Sequence, residues 1–317
     1  MGQAKTLADS VAIHAPDHHF FYCLADKVNG RNLRGIEAGK IIEVEKIGIP
    51  NFDWMVKNYN IIEFATAVKP FFYQYLFGKF SEAHQITYLD PDIKIYTNLQ
   101  VISNMHLDYE VILTPHFTQP IIDNKIPTEK RIFSTGIYNL GFVSMIRGNN
   151  TFKLISWWQD KLSYHCIVDL TRGYFVDQLW MVLAPVYFDN ILITKHLGLN
   201  MAHWNFHERI LSVRQGQYFV DEFPLVFFHF SHYKPTKPSE LAAYHTRYTF
   251  ATRPDLQPLY AAYHKELLNN NFFDFINEPC FYLNNEKHKR IKKYWGNVLR
   301  IIIPQNLKVI LGKYLSK

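Results

Sequence analysis

The sequence has little that would tie it to an oxidising or membrane-spanning setting. Its 317 residues contain three cysteines, Cys23, Cys166 and Cys280, far apart and with no Cys-x-x-Cys pair. An odd, scattered set excludes a disulfide scaffold and predicts reduced thiols in a cytosolic protein. Long apolar runs are also lacking. The longest, Phe223 to Phe230, is interrupted by Pro224 and His229, far short of the roughly 20 residues a spanning helix needs. The first ten residues carry no apolar signal core, which predicts no export and a cytoplasmic location. Glycine and proline number only 14 and 15, while 48% of residues are hydrophobic. That balance excludes disorder and low-complexity fibres. Acidic residues are scarce at one end alone. Residues 286–317 hold nine Lys or Arg against Glu286, a net +8, so residues 1–285 sum to −2 within the overall +6. The body is net acidic, which predicts no nucleic-acid partner.

What is present reads as alternating elements. Ala4, Leu7, Ala8, Val11 and Ala12 recur at helical spacing, predicting a helix over 3–15 that Pro16 stops. Strand-like runs follow at 18–25 and 40–47, helical patterns at 52–59 and 61–78, and a strand at 83–89. Helices are expected at 151–164 and 177–188, then strands near 191–194 and 224–230. Strands separated by helices predict an α/β fold with a largely parallel sheet. No repeat or flexible linker interrupts the chain, and about the last 75 residues read as helical and amphipathic. The expected division is a catalytic domain at 1–245 and a helical, basic extension at 246–317. Within the extension, Ile291, Trp295, Val298 and Ile302 share one helical face, and Leu307, Ile310, Leu311 and Tyr314 share another beyond Pro304. Such faces suit peripheral contact of 287–317 with an anionic membrane, or docking onto the catalytic domain.

The most informative residues are Tyr88-Leu89-Asp90-Pro91-Asp92. An apolar strand delivers two carboxylates to its C-terminal end, where open α/β sheets bind ligands. Alternate residues beyond a strand end can face one side, so both can address one divalent cation. Hard oxygen ligands suit Mg²⁺ or Mn²⁺, shared with phosphate oxygens. Read alone, the same residues are an exposed acidic turn.

A strand followed by Asp-x-Asp resembles the metal and nucleotide-sugar signature of glycosyltransferases with the A-type fold. Three further stretches resemble glycosyltransferase family 8, the retaining group. Phe133-Ser134-Thr135-Gly136-Ile137 is similar to the stretch that cradles the donor sugar. Val176-Asp177-Gln178 is similar to the Asp-Gln pair at the start of a helix below the sugar. Phe228-His229-Phe230-Ser231 resembles the segment whose histidine completes the metal site. Thr66-Ala67-Val68-Lys69-Pro70-Phe71 resembles the helix before Asp-x-Asp in related bacterial transferases, and Tyr138-Asn139-Leu140-Gly141-Phe142 and Trp204-Asn205 also resemble stretches of those transferases. Order and spacing agree over 4–235. The resemblance implies a mixed, mostly parallel Rossmann-like sheet flanked by helices. It also implies a UDP-sugar donor and a surface-glycan, lipopolysaccharide-type or lipid-linked acceptor. Asp90, Asp92 and His229 would hold Mn²⁺ or Mg²⁺. Lys69, Thr135, Gly136, Asn139 and Lys234 would line the donor, and Asp177 and Gln178 would be catalytic.

Two departures stand out. The family segment runs His-Phe-x-Gly-x-x-Lys-Pro-Trp. Here His232 replaces the glycine, Lys234-Pro235 comes one residue early and no Trp follows. Whether Lys234 or Lys237 reaches the diphosphate stays open. In the A-type fold a strand precedes the first helix, and that strand is expected to be missing here. Each residue also has a plainer reading. Asp177 complements a helix dipole, and His229 is a core histidine. Lys69 is a surface lysine, Asn139 and Asn205 cap turns, and Asp26 is either a base or ribose ligand or a loop aspartate. His203 and His207, four residues apart, have zinc-like spacing but no evident third ligand. The main alternative to a transferase is a non-catalytic sugar-binding or scaffolding protein of the same fold; a metal-dependent hydrolase trails.

Overall fold

The computed structural model describes residues 1–276 and 278–282. The chain divides into two compact units, Met1–Glu278 and Pro279–Lys317. The amphipathic helices expected within 287–317 lie outside the described residues.

The first unit opens with helix α1 (Gly2–His14), as the helical spacing predicts. Short strands β1 (Tyr22–Leu24) and β2 (Ile41–Glu43) pair in parallel in a sheet of their own. Helices α2 (Phe52–Asn58), α3 (Ile61–Ala67) and α4 (Lys69–Lys79) follow. The single helix expected over 61–78 is broken in two, and Pro70 occupies the first turn of α4, where its missing N–H goes unneeded. Asn60 caps α3 through a capping box with Glu63.

Strands β3 (Gln85–Leu89), β4 (Ile93–Ile95), β5 (Val111–Pro115) and β6 (Tyr138–Ile146) alternate with α5 (Gln100–Met105) and α6 (Glu129–Thr135). Helix α7 (Asn149–His165) precedes the small ladder β7 (Val168–Asp169) and β8 (Tyr174–Phe175). Helix 177–188 forms as two short pieces, α8 (Gln178–Met181) and α9 (Ala184–Tyr187), the second with proline in its first turn. Strand β9 (Ile191–Ile193) leads to a three-stranded meander of β10 (Leu211–Arg214), β11 (Gln217–Val220) and β12 (Phe223–Pro224). Strand β13 (Phe227–His229) and helices α10 (Gln257–Asn269) and α11 (Phe272–Ile276) close the unit.

The fold is mixed α/β, but the largely parallel sheet is not observed. The central sheet runs β3-β6-β5-β9. Strand β6 is antiparallel to both neighbours, and within this sheet only β5 and β9 pair in parallel. Strand β6 is buried along nearly its whole length, and a strand covered on both faces shows the same continuous apolar pattern in either orientation. A second sheet pairs β4 with β13 antiparallel. Strands β3, β5 and β9 all point one way, so their carboxyl ends share an edge with the start of β6.

The compact unit extends past the boundary expected at 245. Leu256, Leu259, Tyr260, Tyr263 and Leu267 on and before α10 are buried in one cluster with Phe228 and Phe230. Phe230 stacks on Tyr263 with centroids 3.6 Å apart. Asn270, which follows α10, donates to the Thr6 hydroxyl and the Asp9 carboxylate of α1, each at 2.9 Å. Among the described residues, no helix is long and apolar enough to cross a membrane.

Candidate metal centre

Strand alternation aims the site. In β13 and the residue after it, Phe228 and Phe230 face the cluster around α10. Phe227 packs on the other face, its ring 5.0 Å from Phe142. His229 shares the Phe227 side because side chains alternate along a strand. The acidic turn is the seam between the two sheets. The Asp90 N–H donates to Gly141 O at 2.7 Å, extending the β3–β6 ladder, while the Phe230 N–H donates to Asp92 O at 2.9 Å, extending β4–β13. Each carboxylate is thus anchored by a different sheet.

The two carboxylates do face one point. Asp90, Asp92 and His229 each offer one ligand atom, and those atoms lie within 4.8 Å of one another. His229 Nε2 is 3.0 Å from Asp92 Oδ1 and 3.9 Å from Asp90 Oδ2. The imidazole is buried, while the carboxylates remain 29% and 23% exposed. Burial acts to lower the His229 pKa, but Asp92 and Asp90 outweigh it and the net shift is upward. For Asp92, burial acts to raise the pKa, and His229 reverses the shift to a net lowering.

A buried polar network sets the ring. His229 Nδ1 lies 3.3 Å from Asn200 Oδ1. Asn200 donates to Thr114 Oγ1 at 2.7 Å and to Asn139 Oδ1 at 3.1 Å, so its own carbonyl oxygen faces the imidazole as acceptor. That places one proton on Nδ1 and turns Nε2 to the carboxylates, where it donates to Asp92 while protonated and, once deprotonated, offers the lone pair a metal ligand needs. Asn139 in turn meets His116 Nε2 at 3.4 Å, and His116 Nδ1 meets Ile137 O at 3.2 Å. Burial lowers His116 to about 4, so this ring is neutral. Trp204 stands edge-on to His229 at 5.2 Å.

Gly141 is the floor of the cluster. A Cβ there would strike His229 Cε1 and come within 2.8 Å of Asp90 Oδ2 and 2.9 Å of Asn139 Oδ1. Beside it, Lys69 is buried against Asp177, with Nζ to Oδ2 at 3.1 Å, and donates to Leu140 O at 3.0 Å. Its ammonium is also 3.8 Å from Asp90 Oδ1 and 4.7 Å from the Tyr88 ring centre. Burial acts to lower the Lys69 pKa, yet Asp177 and Asp90 overcome it and hold the cation. Burial raises the Asp177 pKa, with Lys69 opposing. Tyr88 donates to Asp90 Oδ1 at 2.6 Å. Gly136 adopts φ +112, and a Cβ there would lie 2.6 Å from Gln178 Cβ. Gln178 Nε2 donates to Thr135 O at 3.0 Å.

Asp90, Asp92, His229, Lys69, Asp177, Gly136 and Gln178 therefore occupy one connected region. Thr135 contributes its carbonyl, since its hydroxyl bonds back to Arg131 O at 3.0 Å. Asn139 supports His229 through Asn200 rather than opening toward a ligand. Lys234 is exposed. Asp26 forms a 2.6 Å ion pair with Arg31. His232 adopts a left-handed backbone at φ +61. The zinc-like pair diverges: residues 203–207 form turns rather than a helix, so a four-residue spacing does not align the rings. His207 Nε2 meets Gln119 O at 3.1 Å, while the His203 ring approaches His232 and His245 at 5.7 and 5.5 Å. Asn205 shapes that turn, accepting from the Ala202 N–H at 2.9 Å and donating to His116 O at 3.1 Å.

Sequence reasoning gave Gly141, Asn200, His116 and Tyr88 no role of their own. A glycine inside a long apolar strand is a signal of close approach, and it was there to find at Gly141. Asn200 and His116 carry no local pattern.

No family model matches the chain. It is similar to Uncharacterized protein YfnF of Bacillus subtilis (strain 168), 27% identical over 212 residues, which are 65% of this chain and 67% of that protein. It is also similar to Uncharacterized protein YfnD of the same organism, 23% identical over 222 residues, 69% of this chain and 70% of that one. Neither name states an activity.

Proposed function

We propose that this protein is a metal-dependent glycosyltransferase. It moves a sugar from a nucleotide diphosphate sugar, a UDP-sugar in the first instance, to a surface-glycan or lipid-linked acceptor. The observation that carries the reading is the convergence of Asp90, Asp92 and His229, with His229 held in the ligating tautomer. Two carboxylates and one imidazole fit Mn²⁺ better than Mg²⁺, which prefers oxygen alone. We read the β3-β6-β5-β9 sheet, with the site at the carboxyl ends of β3, β5 and β9, as the A-type glycosyltransferase arrangement.

The bound cation would supply Lewis-acid stabilisation of the leaving diphosphate. The chain's own residues supply the rest. Asp90, Asp92 and His229 hold the cation. Lys69 keeps a fixed positive charge beside Asp90 and pairs with Asp177, opposing the burial that raises the Asp177 pKa and so favouring a carboxylate next to a developing oxocarbenium charge. Gln178, tied to Thr135 O, presents an amide rather than a nucleophile. That favours front-face attack by the acceptor, with retention. Gly136 lets the backbone approach Gln178 closely.

The test is release of UDP from a panel of UDP-sugars and GDP-sugars without acceptor. Release that needs Mn²⁺ and disappears in Asp92→Asn supports the proposal. Release that ignores the substitution, or no donor binding across the panel, refutes it. One observation favours the alternative, a non-catalytic sugar-binding protein of the same fold. His232, on a left-handed backbone, adds a side chain where the glycine of the segment it resembles would leave room for phosphate. Mn²⁺-dependent donor binding without release would select that reading.

A further inference from the structure

A cavity of about 420 Å³ opens at the carboxyl ends of β5 and β9, on the same sheet edge as the metal centre. Phe117, Ile132, Phe133, Ile137 and Ile193 line it, with Lys195 among the polar residues. Two of the other polar side chains of the lining already hold protein partners. Glu129 accepts from the Ile121 N–H at 3.0 Å, and the Thr118 hydroxyl donates to Glu208 at 3.0 Å. A sugar-binding subsite would present unpaired donors and acceptors, whereas this lining presents apolar surface. The lip is apolar too. Phe133, itself part of the lining, is 77% exposed.

The wall between this cavity and the candidate catalytic residues is the link from α6 to β6. Ile132 and Phe133 belong to α6, whose terminal Thr135 carbonyl accepts from Gln178. Ile137 follows Gly136, which stands against Gln178. A molecule with its reacting hydroxyl beside Gln178 can therefore lay an attached apolar chain over this wall into the cavity.

We infer that the cavity is the subsite for the apolar portion of an amphipathic acceptor, an alkyl or prenyl chain joined to the hydroxyl-bearing head. The inference rests on the transferase reading for its term "acceptor", but its binding chemistry does not. Lys195 is positioned to meet a polar or anionic group where the chain leaves the cavity. The remaining lining rewards chain length.

The experiment is calorimetric titration with hexyl, octyl and decyl β-D-glucosides below their micelle concentrations. EDTA is present and nucleotide is absent. Affinity should rise by up to about fourfold for each methylene added until the cavity is full. Glucose itself should not bind. Phe133→Ser and Ile193→Asp, both at exposed positions, should each weaken octyl glucoside at least tenfold while the thermal transition stays in place. Affinity independent of chain length, or unchanged in both variants, overturns the inference. Neither metal nor nucleotide enters this titration, so its failure is separable from failure of Mn²⁺-dependent UDP release.

Discussion

Replacing Gly141 by alanine tests the metal centre through a residue that donates no ligand. The added Cβ would lie 2.8 Å from Asp90 Oδ2 and 2.9 Å from Asn139 Oδ1, and closer still to His229 Cε1. An ordinary carbon contact needs about 3.5 Å or more, so these groups must retreat by roughly 1 Å. The backbone on both sides cannot yield freely, because Gly141 O holds the Asp90 N–H and Leu140 O holds Lys69. The side chains must move instead, and they carry the ligand atoms. Overpacking of this kind costs about 1–3 kcal/mol of stability. With roughly 2–4 °C lost per kcal/mol in a domain of this size, the fold survives. Disturbing the support of a metal ligand costs about 10–100-fold in affinity. Titration of Mn²⁺ into wild type and Gly141→Ala, followed by calorimetry or by the electron-spin signal of the free ion, reads the loss directly. Circular dichroism melting reads the fold in parallel. A variant that melts a few degrees lower but binds Mn²⁺ as tightly as wild type would refute the assignment of Asp90, Asp92 and His229 as one cation site.

Three further outcomes are expected. Lys69→Met leaves the buried Asp177 carboxylate unpaired, which costs about 3–5 kcal/mol, and Lys69→Met with Asp177→Asn should recover most of it in urea unfolding. The Lys69→Met variant should also gain stability as pH falls through the folded-state pKa of Asp177. That pKa is raised by burial, so the native state binds the proton first. Because the His229 pKa is raised, an imidazolium competes for Nε2 at low pH. Mn²⁺ affinity should then fall by about tenfold per unit below that pKa, with a proton released on binding, as paired titrations in buffers of different ionisation enthalpy would report. A chain ending at residue 245 should fail to fold, while one ending at Glu278 should melt cooperatively. The shorter chain loses Leu256, Leu259, Tyr260, Tyr263 and Leu267, all at most 2% exposed. At about 1.5–3 kcal/mol for each buried side chain, that approaches the whole stability of a typical domain.

How much of this was legible in the sequence depends on the range of the cause. The acidic turn could be read because its chemistry is local: an apolar strand must end somewhere, and two carboxylates flanking Pro91 at that end can turn to the same side. His229 was half legible. Its place in Phe227-Phe228-His229-Phe230 says that it is buried, but only the pairing of β13 with β4 says that it faces Asp92. Sheet orientation was not legible, since a strand such as Leu140–Val143, buried on both faces, reads identically whichever way its neighbours run. The zinc-like spacing of His203 and His207 misled for a related reason: a spacing acquires meaning only once the backbone between is helical, and Asn205 bonds that backbone into turns. Asn200 is the limiting case. A lone buried amide has no periodicity and no motif, yet its two donor bonds orient its oxygen, the oxygen orients the His229 proton, and that proton decides which nitrogen is free for a metal. The farther a residue acts from the atoms it controls, the less its own neighbourhood in the chain can disclose it.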